Sequence, residues 1–259
     1  MFRNKMVTPA IPERVYTLCK VVENGALSSA EIKEKMEPSY LKQATSYFSD
    51  YKTAAEELGL VTTTDNAISL AVDPINVKSM DYMRYYINGQ LDRFREGQFY
   101  KVTKAYYSFG ADILRGEKNV AQMTSSIGKR TNTEIDPKNM HAWRFWATYL
   151  GFGYLQDMFV IPNAGVYLWD IIKRVDFERN IKYSIGVFLD KLEPYVDIIV
   201  DTMNINKEFC FGVSNGLRTL EKAGYLKTEH ILDEEDTWRL YHMEALSVNE
   251  LVTNVTILK

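Results

Sequence analysis

Residue types that could carry chemistry are few in this chain, and their spacing assembles no reactive centre. His141, His230 and His242 stand far apart. No His-x-x-x-His or Cys-x-x-Cys pair is spaced to present ligands to a metal. The run Asp233-Glu234-Glu235-Asp236 could attract a cation, although a charged turn in solvent is the plainer account. No phosphate-binding glycine loop occurs. Gly151-Phe152-Gly153 lacks the third glycine of a dinucleotide fingerprint and follows a predicted helix rather than a strand. A nucleophile elbow is not expected either. Cys19 and Cys210 form neither a disulfide framework nor a zinc site. The expectation is a protein that is not an enzyme and holds no metal or cofactor.

What remains is charge. Residues 1–73 carry 8 basic and 10 acidic side chains, residues 74–174 carry 14 and 9, and residues 175–259 carry 9 and 15. The net charge of −3 therefore hides a basic middle between acidic ends. A phosphate backbone would meet that middle, through Lys101, Lys104, Arg115, Lys118, Lys129, Arg130, Lys138 and Arg144 beside tyrosine and tryptophan. Ordinary solvated charge could cluster in the same way. A second set of polar candidates, Lys42, Gln43 and Ser46, lies on a helix predicted over Leu41–Leu58.

The elements that must position these residues follow from periodicity and punctuation. Phe211 to Tyr241 reads as a helix, a stopping glycine, a strand, a polar tip and a second strand. Ser214 is the expected N-cap and Gly224 the C′ residue. The wing hairpin would pair residues 225–228 with 237–241. The opening third repeats this order. It has a helix from Pro12 to Glu23, a short helix capped by Ser28 with Glu31, and the helix Leu41–Leu58. Gly59 then precedes a hairpin that turns at Asp65-Asn66. In the middle, helices are predicted over 80–94, 98–114, 119–127 and 137–150, with Lys129-Arg130-Thr131-Asn132 as a basic loop. A strand or hairpin follows over 154–161. A helix over 165–174 joins the last unit, whose own first helices are broken at Pro194. The tail SVNELVTNVTILK is expected as an edge strand or docking segment.

The fold class is thus mainly α with small β wings: tandem winged helix-turn-helix domains around a helical middle region. The units are an N-terminal winged helix (1–73), a helical middle that is either a diverged winged helix or a plain bundle (74–174) and a C-terminal winged helix (175–259). No apolar run reaches the roughly 20 residues that span a bilayer, and the opening residues lack a secretory h-region. A cytoplasmic location is expected.

Segments Trp143 to Ala164, Phe188 to Asp197 and Gly212 to Tyr241, with the opening ENGALSSAEIKEKMEP, resemble the DpdG family of bacterial 7-deazaguanine DNA modification and restriction clusters. The resemblance implies a non-catalytic component that works beside ATPase, helicase or nuclease subunits in antiviral defence. Such a protein would bind duplex DNA weakly through its basic middle and other proteins through its acidic ends. Two rivals stay open. One is a dimeric transcription regulator reading an operator with the helix Leu41–Leu58. The other is an adaptor similar to the winged-helix subunits of chromosome-organising ATPases, with no DNA binding of its own.

Overall fold

A computed structural model of the chain describes every residue except 1, 4, 42–44, 116–118, 200–205 and 244–249. About 53% of the chain is helical, against a usual third, and its sheets are small and antiparallel. The class is mainly α. Among the described residues no helix is long and apolar enough to cross a membrane.

The first unit runs α1 (Pro12–Val21), β1 (Leu27–Ser28), α2 (Ser29–Met36), α3 (Phe48–Glu57), β2 (Val61–Thr64) and β3 (Ala67–Leu70). Ser28 and Glu31 make the expected capping box at α2. Asp65 and Asn66 turn the hairpin with φ of 49° and 63°, the left-handed pair that a two-residue turn demands. The strands lie in the order β1-β3-β2. The third helix is shorter than predicted. Ser39–Leu41 forms a separate 3-10 turn, and α3 begins only at Phe48. The Glu37 carboxylate explains the late start: it accepts from Ser46 Oγ at 2.6 Å and from the Tyr47 N–H at 3.0 Å, pinning the chain just before the helix. Lys42 and Gln43 lie outside the described residues.

The middle contains α4 (Met80–Asn88), α5 (Gln98–Ser108), α6 (Thr124–Thr131), α7 (Pro137–Tyr149) and the hairpin β4 (Gly153–Gln156) with β5 (Phe159–Pro162). Asp136 and Asn139 form a capping box that starts α7, with Pro137 at its first position. Several predicted boundaries move: α4 ends at Asn88 before a separate 3-10 turn over Leu91–Phe94, and α6 begins only at Thr124 after a 3-10 turn over Val120–Met123. α5 stops at Ser108, because Gly110 takes a left-handed φ of 57° and the chain tightens into a 3-10 turn. Gly128 does not end α6; left-handed Asn132 does. Lys129 and Arg130 therefore ride the last helical turn, where cations suit the helix dipole, rather than a loop.

The last unit, taking in the joining helix α8 (Gly165–Ile172) from before the predicted boundary at 175, continues with β6 (Lys182–Ser184), α9 (Ile185–Val196), α10 (Phe211–Lys222), β7 (Leu226–Glu229), β8 (Trp238–Arg239), β9 (Leu251–Val252) and β10 (Asn254–Ile257). Several expectations fail here. α9 passes through Pro194 and ends at Val196, and the predicted helix beyond it runs into undescribed residues. Ser214 is not a cap, since α10 starts at Phe211. The wing hairpin does not form either. β7 pairs with β10, and β8 pairs with β9. The tail is the central strand of a sheet ordered β6-β10-β7, not an edge. Val255 and Ile257 are buried at alternate positions of β10, while Trp238 on β8 packs on Phe209 with ring centroids 5.0 Å apart. Each strand finds its own apolar partner, and proximity in sequence loses.

One apolar core links all three units. Phe2 is fully buried in it, 5.0 Å ring to ring from both Phe99 and Trp146. Buried aromatics in the middle spend their polar ends on neighbouring elements, as such groups must. Tyr106 donates to the Val160 carbonyl, Tyr107 to that of Phe152, and the Trp143 indole to Thr103.

Candidate functional site

In this arrangement the third helix of each unit is the first place to look for a macromolecular contact. α10 is covered. Asn215 donates to the Pro162 carbonyl and Arg218 to that of Tyr241. Gly216 lies so close to α8 that a Cβ there would stand 2.7 Å from the Gly165 nitrogen. α7 is covered too, with Trp143, Trp146 and Met140 buried. Arg144, a candidate from the sequence, is turned to its own hairpin: it donates to the Asp157 carbonyl and the Met158 sulfur and lies 4.8 Å over the Phe145 ring. α3 keeps an open face, but Lys52 is tied to Glu56 at 2.7 Å. Ser46 donates to Glu37, and exposed Ser49 and Thr53 are neutral.

The basic residues that do converge are Lys101 and Lys104 on α5 and Arg130 on α6. With Arg95 they line a cleft of about 540 Å³, together with Tyr100, Ser108, Glu96 and Asp197. Spacing explains part of this, since residues three apart share one helix face. Packing of α6 on α5 brings the third. Lys101 pairs with Glu96 at 2.7 Å, where the Glu96 side chain is 93% exposed. Lys104 pairs with Asp197 at 2.8 Å, and Tyr100 donates to the same carboxylate at 2.7 Å. Arg95 is held by Asp92. Arg130 differs. Among the described residues it has no acidic partner; its guanidinium stacks 3.8 Å over the Phe109 ring and donates to Ser108 Oγ. Lys129 is exposed on the same turn of α6, and Lys138 is exposed at the start of α7, away from the cleft lining.

Burial by itself would raise the Asp197 carboxyl's pKa, but the hydrogen bonds from Lys104 and Tyr100 outweigh it and hold the group below its usual value. Burial and then the Asp197 hydrogen bond push the Tyr100 phenol far up. The cleft is thus a cationic surface with two acids in its lining, exposed Glu96 and the more enclosed Asp197. Asp197 is 93 residues from Lys104 in sequence and enters from the end of α9, so no local pattern announces it. Arg95, Tyr100 and Ser108 are also cleft residues that sequence reasoning misses.

Other candidate chemistry is placed as follows. Gly212-Val213-Ser214-Asn215-Gly216 does have nucleophile-elbow spacing, contrary to the expectation. Ser214, however, is fully buried inside α10, donates to the Phe209 carbonyl and accepts from the Tyr241 N–H. It serves as a strut between α10 and the segment that follows β8. Burial pushes the Cys19 thiol up to about 12 and that of Cys210 up to about 11, away from the reactive thiolate. Among the described residues no three His, Cys, Asp or Glu side chains group as metal ligands. Compared with protein-family models, curated proteins and solved structures, the chain finds no match.

Proposed function

We propose that the chain is a non-catalytic accessory protein of tandem winged-helix modules, holding DNA by its phosphates in the cleft between α5 and α6. Support for the modules lies in element order. The first and last units share helix, short strand, helix, helix and strand pair, with sheets ordered β1-β3-β2 and β6-β10-β7. From α5 onward the middle repeats three helices and a hairpin. Support for phosphate binding rests chiefly on Arg130, a stacked guanidinium without an acidic partner among the described residues, beside Lys101 and Lys104. Backbone contacts of this kind position a protein on DNA without reading sequence. The covered faces of α7 and α10, with the neutral or acid-paired side chains on the open face of α3, suit that role better than operator recognition. Placement in a bacterial defence or restriction complex, in the cytoplasm and beside an ATPase, helicase or nuclease subunit, is carried by the DpdG resemblance alone. A partner of that kind would supply the energy-consuming step.

Binding of labelled DNA between about 50 and 200 mM salt tests the reading. Replacing Lys129 and Arg130 together with Glu is expected to weaken binding about tenfold or more and to flatten the salt slope by about two. Unchanged affinity removes the cleft as the contact surface. The covered third helices of the middle and last units equally favour an adaptor for a coiled-coil ATPase. Wild-type protein that binds no DNA at the lower salt, yet copurifies with such an ATPase, would establish that second reading.

A further inference from the structure

A second depression, of about 410 Å³, opens beside the basic cleft, and Ser108 lines both. Its character is different. Tyr107, Phe209, Phe211 and Tyr241 give it aromatic walls, and Asn206 and Glu208 stand at its rim. Most of these rings are sealed in the core; Tyr241 is the exception at 36% exposed, its ring edge-on to Phe211 at 5.3 Å. From Lys104 and Arg130 past Ser108 to Tyr241, the surface changes from cationic to aromatic with neutral and acidic hydrogen-bonding groups.

That gradient matches one nucleotide. Phosphate suits the cationic end, and Glu208 would repel it from the other. A base has a π-face for Tyr241 and edge donors and acceptors for Asn206, Ser108 and Glu208. A paired base cannot use such a pocket, because its edge and faces are already occupied in the stack. Resting on the phosphate-binding reading above, we infer that the joined cleft and pocket bind an unpaired nucleic-acid strand, with phosphate at Arg130 and a base against Tyr241.

Fluorescence anisotropy of the full chain with a labelled DNA strand of about a dozen nucleotides, the blunt duplex of that sequence and the matching RNA strand tests this. At least one strand is expected to bind about tenfold more tightly than the duplex, and the DNA-to-RNA ratio tells which sugar is preferred. Tyr241→Ala should weaken strand binding about tenfold and leave the duplex almost unchanged, whereas Tyr241→Trp, which keeps a stacking face, should retain it. The tryptophan variant guards against mere misfolding. Equal affinity for strand and duplex overturns the inference, as does an equal loss of both on Tyr241→Ala. Those results leave the cleft itself standing if Arg130→Glu still weakens binding. If Arg130→Glu changes neither ligand, the phosphate-binding reading fails as well.

Discussion

In the first unit β2 and β3 are joined by Asp65-Asn66 alone, whereas in the last unit the central strand of the sheet comes from the final residues of the sequence, with Asn254 opposite Glu229 and Ile257 opposite Leu226. Both sheets keep the short strand beside the third strand in order, and all their pairs are antiparallel. Sheet order therefore survives an excursion between β7 and β10 that holds the acidic run, β8 and β9. What changes is how each sheet depends on the chain. The first closes through a local turn; the last pays a long loop closure before its central ladder forms.

Ending the chain at Thr253 breaks that comparison most severely. It strips β10 from between β6 and β7 and removes buried Val255 and Ile257. Both neighbouring strands lose their ladders at once, so the loss should consume a large share of the roughly 5–15 kcal/mol that stabilises a domain. Hydrogen exchange is the measurement. Amides of β6, β7 and α10 should lose protection, while β2 and β3 keep theirs. Protection retained across β7 would show that the last sheet does not depend on its distant strand.

A middle-sized effect concerns coupling between the units. Asp170 on α8 has a side chain only 1% exposed, yet it accepts from Arg84 Nε at 2.8 Å, Lys173 at 2.9 Å and Asn88 at 3.0 Å. Arg84 and Asn88 lie on α4, which also follows directly from the first unit. Removing one member of a buried ion pair strands the other, at about 3 kcal/mol when the survivor is well buried. Arg84 is 18% and Lys173 40% exposed, so Asp170→Ala should cost about 2 kcal/mol. Urea unfolding followed at Trp238 and by overall helicity checks it. One transition should shift to lower urea; two separated transitions would mean that this ion cluster is what makes the two sheets unfold together.

The contrast between the sheets also sets how much could be read from sequence. Several local signals are obeyed: Ser28 with Glu31, Asp65-Asn66, and Asp136-Pro137 all sit where their types demand, whereas the helix-stopping Gly128 and helix-breaking Pro194 are overridden. The 225–228 strand was equally legible, but its partner was not. Two alternating segments follow it, and the nearer one carries Trp238 into contact with Phe209 instead. Ser214 misleads for the same reason. A serine before an apolar stripe resembles a cap, and only tertiary packing converts it to a strut for Tyr241. For the cleft, Lys101 and Lys104 were visible as a helix face and Arg130 as a basic neighbour. Arg144 was indistinguishable from them until Asp157 and Met158 claimed it. Asp197, contributed by the last unit to a site of the middle one, has no signature at all.

That carboxylate gives the finest probe of how the units cooperate. Its folded pKa lies below the ordinary value, because the bonds from Lys104 and Tyr100 outweigh the burial that would raise it. An acid depressed in this way stabilises the fold above its unfolded pKa of about 4 and ceases to do so as pH falls through the folded value. Asp197→Asn should therefore be slightly less stable than wild type at neutral pH, with the difference closing as pH drops below about 4. Its side chain is 37% exposed, so solvent screening keeps the effect small. Binding should move the other way. Losing one acid from the cleft floor raises the local positive charge, so affinity for DNA should increase a few-fold at low salt and the salt slope should steepen by up to about one. Salt-dependent anisotropy of the variant checks both signs. A variant that loses stability as expected but binds no more tightly would separate the two roles: Asp197 would then join the last unit to the middle one without lying under any phosphate.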